Sequence, residues 1–420
     1  MAYNFIDLFA GAGGLSEGFV RAGFEPIAHV EIDNAACNTL RTRAAYYHLK
    51  ATNQYSDYVK YLMGEITRDD LYAKLPKHIL SSIINKPIGV EHNDQIQDKI
   101  DQLLNGKIVD LIIGGPPCQA YSLVGRSRSK TKMEGDSRNY LFEQYAIYLE
   151  KYKPRMFVFE NVLGLKSAKK GFYLKEMENR FAEKGYVIKL FVLEAKNFGV
   201  LQNRKRIIIL GWLKNQYIEV PRLDEIVCKH HYRVNDLLSD LPIIKAGEGK
   251  NKFLHYQTES TPYLEEFHLR NGLNILTQHI ARPHRELDKE IYSEAVNKWN
   301  KSKERLNYND LPSKLKTHRN RTSFFDRFKV VAADLAYSQT VVAHIAKDGH
   351  YYIHPDVHQN RSISVREAAR LQSFPDDYYF EGEKEEANRT PAFKQIGNAV
   401  PPLMAYAIAQ KMKELLCQKK

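Results

Sequence analysis

The sequence predicts an α/β fold: a mainly parallel sheet flanked by helices, with a smaller irregular domain inserted before the chain returns to the sheet. Three observations predict it. Short apolar runs of strand length alternate with amphipathic segments over the first half of the 420 residues, as in chains that cover both faces of a sheet with helices. The first run ends at Asp7-Leu8-Phe9-Ala10-Gly11-Ala12-Gly13-Gly14-Leu15, a Gly-rich turn that opens a helix. After Trp212 the alternation stops, and 213–350 is polar, aromatic and basic without clear period.

Asn4–Phe9 is the first predicted strand, followed by a helix over Ser16–Ala22. Glu25–Val30 is the second strand. Asn34–Leu49 is the second helix, with Ala36, Leu40 and Ala44 at i, i+4 spacing. Residues 50–107 are polar and lysine-rich with weak helical patterning. Ile108–Ile113 is a continuous apolar strand stopped by Gly114-Gly115-Pro116-Pro117. Asn139–Tyr152 carries Leu141, Tyr145 and Leu149 on one stripe, so it reads as a helix. Arg155–Phe159 is the next strand, Phe172–Glu183 a helix, and Val187–Leu193 and Ile207–Leu210 strands. Helical pattern returns at Ser364–Gln372 and Leu403–Leu416. The division expected is a first domain over 1–212, a second over 213–384, and a C-terminal segment, 385–420, that rejoins the first.

Composition narrows the function classes. Apolar residues make up 43% and charged residues 27%, which excludes wholesale disorder, a collagen-like repeat and a coiled coil. No apolar run approaches the ~18 residues of a membrane helix, and Met1–Asp7 has neither a basic region nor an apolar signal core. A cytoplasmic protein without membrane contact is expected. The four cysteines, Cys37, Cys118, Cys228 and Cys417, form no CxxC pair, so neither a disulfide framework nor a zinc site is expected. His279, His284 and His318 show no compact ligand spacing, and no metal is expected. The net charge of +12 suits a polyanionic partner, nucleic acid first; solubility alone is the alternative.

Four segments could carry chemistry. Glycines at 11, 13 and 14 let backbone approach a ligand, and Glu31, 20 residues beyond Gly11, ends the next strand where a carboxylate can accept from ribose hydroxyls. Ser16 stands where a dinucleotide pattern needs its third glycine, so an adenosine ligand without a pyrophosphate fits better. Gly114-Gly115-Pro116-Pro117-Cys118-Gln119-Ala120-Tyr121-Ser122 follows a buried strand and brings Cys118 to the same sheet edge, with Arg126, Arg128 and Arg138 supplying the positive potential a thiolate needs. An inert buried cysteine is the alternative there. Phe159-Glu160-Asn161-Val162 ends another apolar strand; loss of water favours the protonated form of Glu160, which then could hold a proton for catalysis. The alternative is a Glu capping the next segment. Gln202-Asn203-Arg204-Lys205-Arg206 precedes an apolar strand, and its alternation sets Arg204 and Arg206 to one side, where two guanidiniums can bind a carbonyl or phosphate. A solvated charge run is the plain reading.

In this order, and continued by Arg366-Glu367-Ala368-Ala369-Arg370-Leu371-Gln372-Ser373-Phe374-Pro375 and Gln395-Ile396-Gly397-Asn398-Ala399-Val400-Pro401, these segments resemble the C5-cytosine DNA methyltransferase family of the bacterial modification type. The resemblance covers roughly residues 1–212 and 350–420. It implies a Rossmann-like methyltransferase fold and S-adenosylmethionine as cofactor, leaving as S-adenosylhomocysteine, with no metal.

The implied cofactor pocket comprises Asp7, Phe9, Gly11, Gly13, Gly14 and Leu15, with Glu31 on the ribose and Ile32 on the adenine. Glu65 and Ile66 would meet the adenine edge, and Pro116, Leu141, Asn398 and Val400 would complete the pocket. The family more often has Asp where Glu65 stands. Cys118 resembles the family nucleophile, Glu160 its acid and Arg206 the residue on the cytosine carbonyl, with Arg204 beside it. Gln119, Ser122, Arg126, Arg128 and Arg138, and in the 213–350 region Lys314, Lys316, Arg319 and Arg321, are the expected DNA contacts. The implied partners are double-stranded DNA, with the target base flipped out, and a cognate restriction endonuclease acting on the same site; the protein is expected to be a monomer.

Rival readings exist. A tRNA-directed branch of the family shares the pocket but carries a Cys-Phe-Thr signature; here Cys228 is followed by Lys229 and His230. A non-enzymatic relative would be free to lose Cys118, Glu160 or Arg206. A thymidylate-synthase-like enzyme, which also adds a Pro-Cys thiol to a pyrimidine, would not need the Gly-rich turn with Glu31.

Overall fold

The structure, a computed structural model, describes residues 2–117, 140–216, 222–270, 272, 274–386 and 388–417. Seven strands form one sheet: β1 (Asn4–Leu8), β2 (Glu25–Glu31), β3 (Ile83–Asn85), β4 (Leu111–Gly114), β5 (Met156–Asn161), β6 (Tyr186–Glu194) and β7 (Lys205–Leu213). Their order across the sheet is β3-β2-β1-β4-β5-β7-β6. β1 to β5 pair parallel, and β7 runs antiparallel to both β5 and β6. The predicted fold class holds.

The central strands are apolar along their whole length because both faces are covered. Phe5, Leu111, Ile113 and Val158 point into one large core, and Ile6, Ile112, Phe157 and Phe159 into a second. Parallel pairing sets the carboxyl ends of β1, β2, β4 and β5 along one edge, and that edge holds the turns the sequence singled out.

Boundaries shift where burial stops. The predicted strand Ile108–Ile113 begins only at Leu111, since Ile108 is 74% exposed. Residues 50–107 hold the helices Tyr55–Met63, Arg68–Ala73, Lys77–Ser81 and Asn93–Leu104, and β3, a strand of three residues too short to show a period. Inside 213–350 lies the helix Glu286–Ser302, which the sequence pattern does not announce; it buries Ile291, Tyr292, Ala295 and Val296 into a small cluster with Tyr308, Phe328 and Ile353. Beyond that helix, this region is held by single-turn helices such as Pro262–Glu266, by loops and by a two-stranded ladder, Gly249–Lys250 with His279–Ile280.

The end of the chain returns to its beginning. The helix Pro402–Cys417 packs on the helix Gly14–Arg21, and a β-carbon at Gly18 would lie 2.3 Å from Tyr406 N. The helix Val365–Leu371 is fully buried and braces the irregular region. Arg370 donates to both carboxylate oxygens of Asp240 and to Asp376, and Arg366 to the carbonyls of Thr277, Pro375 and Tyr378. Among the described residues no helix is long and apolar enough to cross a membrane.

Candidate active site

The turn after β1 is built on positive φ. Phe9, Gly11 and Gly13 sit at 59°, 55° and 78°, conformations in which glycine carries no steric cost. The two later glycines serve packing: a β-carbon at Gly13 would meet Leu40 at 2.8 Å and one at Gly14 would meet Val400 O at 2.3 Å. Gly11 differs, because a β-carbon there meets nothing within 4 Å. The main chain at Gly11 therefore faces open space.

Glu31, ending β2, borders that space. Its Oε2 accepts from Gly11 N at 2.8 Å, and its Oε1 from Ile32 N at 2.9 Å and Asp33 N at 2.8 Å. Burial pushes its pKa up, and the amide donors oppose that shift. Ile32 is 61% exposed beside it, an apolar surface left without protein cover. Asp7 is buried, and neither of its carboxylate oxygens finds a donor among the described residues. Burial raises its pKa strongly, with the Glu31 charge adding to the effect. A buried acid without a donor, a bare apolar side chain and an open glycine form a cradle that fits an adenosine-bearing ligand with a cationic group.

Other expected cofactor residues fall differently. Leu15 and Val400 are packed in the main core; their side chains are spent there, and only their main chains can reach the edge. Asn398 is exposed at the end of the helix Arg389–Asn398, Pro116 is buried just beyond β4, and Leu141 opens the helix Leu141–Tyr152. Glu65 and Ile66 are not brought to Glu31. They form the turn between two short helices, with Ile66 packed on the tyrosine cluster around Tyr58, Tyr61 and Tyr379. The strand alongside Glu31 is β3, and its last residue, Asn85, donates to the carbonyls of Glu31 and Ile32 at 3.2 and 3.0 Å. Sequence reasoning missed Asn85 because β3 is too short to be seen in the pattern.

At the other end of the edge, Glu160 and Arg206 meet on the adjacent antiparallel strands β5 and β7. Arg206 Nε lies 2.7 Å from Glu160 Oε1, and both side chains are nearly buried. The Gly-Gly-Pro-Pro turn leaving β4 lies against them: a β-carbon at Gly115 would come within 2.6 Å of Glu160 Oε2. Asn161 Nδ2 contacts Pro116 O at 3.5 Å and Asn161 Oδ1 accepts from Val162 N. The acid, the guanidinium and the start of the Pro-Cys turn thus share one corner. Cys118, Gln119, Ser122, Arg126, Arg128 and Arg138 lie outside the described residues.

Arg204 does not join Arg206. It is fully buried, donating to Val341 O at 2.7 Å, Ala399 O at 2.8 Å and Gly397 O at 3.3 Å. Side-chain alternation does not apply because Arg204 precedes the strand, which starts at Lys205. Beside it, Gln202 Nε2 donates to Leu371 O and Gln372 Oε1, and Gln372 Nε2 to Ile396 O and Ala399 O. These buried side chains tie β7 to the turn carrying Asn398; their presence in the motifs was legible, their partners were not.

The basic stretch is partly engaged. Lys314 pairs with Glu290 at 3.1 Å, Lys316 donates to Asn309 O, Arg321 donates to Lys316 O and lies over Tyr308, and Arg319 is exposed. His279 binds Ser364 Oγ and Pro242 O, and His284 binds Ser362 Oγ. Among the described residues, no group of three or more His, Cys, Asp or Glu is placed to hold a metal ion.

Comparison with known proteins bears on the family and the fold. The family described as C-5 cytosine-specific DNA methylase matches residues 3–62 and 77–414. The chain is 41% identical to Type II methyltransferase M.Bpa9945I of Bacillus paralicheniformis, covering 98% of each. It is 29% identical to Type II methyltransferase M.DdeI of Desulfomicrobium norvegicum, over 97% of this chain and 88% of that one. Among solved structures it resembles a prophage-encoded candidate DNA modification methyltransferase of E. coli, with a TM-score of 0.65, 22% identity and coverage of 99% and 100%. It also resembles the Entamoeba histolytica methyltransferase EhMeth, with a TM-score of 0.54, 14% identity and full coverage of both chains. These two likenesses bear on the fold.

Proposed function

Because this chain belongs to the C-5 cytosine-specific DNA methylase family and is a DNA (cytosine-5-)-methyltransferase, we propose that the edge from Asp7 to Glu31 binds S-adenosylmethionine and that the corner at Glu160 and Arg206 holds a flipped cytosine. The contact of Arg206 with Glu160 at 2.7 Å, against the turn that leads to Cys118, carries the reading.

Carbon 5 of cytosine is too weak a nucleophile to accept a methyl group unaided. Attack of the Cys118 thiolate on C6 makes C5 enamine-like. Glu160 donates a hydrogen bond or a proton at N3, and Arg206 a hydrogen bond at O2, so the charge created by addition falls on preplaced groups. S-adenosylmethionine, when bound, supplies the electrophilic methyl group. After C5 is methylated, a base removes its proton, and expulsion of Cys118 restores the ring. None of this can proceed within a stacked duplex, so the base must be extruded. In the cofactor cradle, Glu31 accepts from the ribose hydroxyls, Ile32 covers the adenine and the Gly11 main chain lets the ligand approach. Site recognition belongs to 213–384, with Lys314, Lys316, Arg319 and Arg321 among its DNA contacts and Arg126, Arg128 and Arg138 around the nucleophile. Similarity to Type II methyltransferases supports a role as the modification partner of a restriction endonuclease; a cytoplasmic monomer is the form proposed for it.

Bisulfite sequencing of DNA from cells making the protein tests the activity, and shows the site and the modified base together. A duplex with 5-fluorocytosine at that base, plus S-adenosylmethionine, is expected to trap a denaturation-resistant complex that Cys118→Ala abolishes. Trapping that survives the substitution removes Cys118 as nucleophile.

A further inference from the structure

The connection leaving β5 starts at the catalytic corner and carries charges the reaction does not use. It runs from Val162 to Gly171 and is anchored by buried Leu165 and Ala168. Lys166, Lys169 and Lys170 are exposed on it, and none has an acidic partner among the described residues. Some lysines elsewhere have such a partner, as Lys314 has Glu290, Lys329 Asp326 and Lys303 Asp334. Three cations without an acidic partner on one short connection repel each other, which is tolerated where an anion joins them.

The backbone adds an independent observation. Lys169 and Lys170 sit at φ 46° and 56°, two consecutive left-handed residues. Side chains with a β-carbon rarely adopt this conformation, and glycine or asparagine would adopt it at less cost. Such strain at two lysines in a row points to a use for the charge. Lys169 Nζ lies 4.9 Å from the ring centroid of Phe172, which is 42% exposed.

We propose that Lys166, Lys169 and Lys170 form a phosphate-binding patch that grips the DNA backbone beside the extruded cytosine. The connection follows β5, which carries Glu160, directly in the chain, and on this proposal the phosphates of the extruded base's own strand lie over it. Extrusion separates a nucleotide from its stack, and cations beside the gap steady the flanking backbone without reading sequence. The proposal rests on the DNA methyltransferase reading of the corner.

Salt dependence separates the two. Binding of a short duplex is measured by fluorescence anisotropy between about 50 and 200 mM KCl. The wild type is expected to bind; no binding by it overturns the DNA reading of the site itself. For Lys166→Gln/Lys169→Gln/Lys170→Gln, the slope of log K against log salt is expected to fall by about 0.9 for each phosphate that the variant no longer neutralises. Site preference and S-adenosylmethionine binding stay at wild type, and the Arg triple variant restores the slope. A Gln variant with the full slope overturns the patch and leaves the active site standing. Acetylation footprinting of the wild type gives the same answer without substitution: DNA is expected to protect these three lysines while Lys107, on the chain entering β4 at the opposite edge, stays reactive. Equal labelling with and without DNA overturns the proposal.

Discussion

At the β1–β2 end of the sheet, Glu31 is held by three main-chain N–H groups, whereas at the β5–β7 end Glu160 faces a side chain, the guanidinium of Arg206. Main-chain donors are fixed by the fold and keep a carboxylate aimed whether or not a ligand is present. A side-chain pair can exchange its partner for a substrate. The difference teaches how one edge divides labour: binding rests on backbone geometry, chemistry on groups free to trade partners.

The sharpest way to break this comparison is at Glu160. Glu160→Gln keeps shape and part of the hydrogen bonding but loses the acid, and general acid catalysis contributes roughly 10²–10⁴-fold, about 3–5 kcal/mol of barrier. The single-turnover methyl-transfer rate is expected to fall that far, with cofactor binding and melting temperature near wild type. Full rate with lowered stability would make Glu160 a structural residue.

Arg204 comes next, and here the expected effect is on stability. Arg204→Met leaves the carbonyls of Val341 and Gly397 short of a donor, while Ala399 O keeps Gln372 Nε2; each buried unpaired acceptor costs about 1–3 kcal/mol. Denaturant titration is expected to show a lower midpoint, and calorimetry weaker S-adenosylmethionine binding, because the Asn398 turn loosens. An unchanged midpoint would return Arg204 to the surface role its spacing suggested.

Glu31→Ala removes the fixed acceptor. Charged hydrogen bonds contribute about 1.5–3 kcal/mol, so calorimetry is expected to show S-adenosylmethionine affinity reduced by that amount while DNA affinity changes less. Unaltered cofactor affinity would sink the assignment.

The smallest effect is expected at Asp7 and depends on pH. Burial raises its folded pKa above the value in the unfolded chain, so the folded state keeps the proton to higher pH. Stability therefore falls as pH rises from about 4, the ordinary Asp range, through the raised folded value, and no penalty exists below both. Without cofactor, Asp7→Asn is expected to raise the melting temperature at pH 8 and to leave it unchanged at the acid end. A gain that does not depend on pH would show that ionisation of Asp7 is not the cause.

Much of this edge was legible. The Gly-rich turn, Glu31, Glu160 and Arg206 sit at strand ends, where an apolar run meeting a polar residue marks the spot in one dimension. Asn85 was hidden because three residues of strand cannot declare a period. Glu65 stood where the family resemblance sets the residue at the adenine edge, yet helices intervene before β3. Arg204 and Gln202 stood in the motif, but their partners lie 137 to 195 and 139 to 170 positions away, and long-range pairing leaves no local trace. In 213–350 the helix Glu286–Ser302 was blurred because lysines and glutamates cover most of its surface.

The contact of Gly14 with Val400, and of Gly18 with Tyr406, has a consequence for biosynthesis. The glycine turn leaves the ribosome well before the segment that walls it, which lies more than 380 positions later in the chain. A growing chain that lacks 399–417 has the turn but not the segments that hold it closed, so it is expected to emerge without methyl-transfer activity. Timing is then written into the topology: the protein is silent until 399–417 has been made, and two separately made fragments, divided within 213–350, are expected to regain activity only when combined.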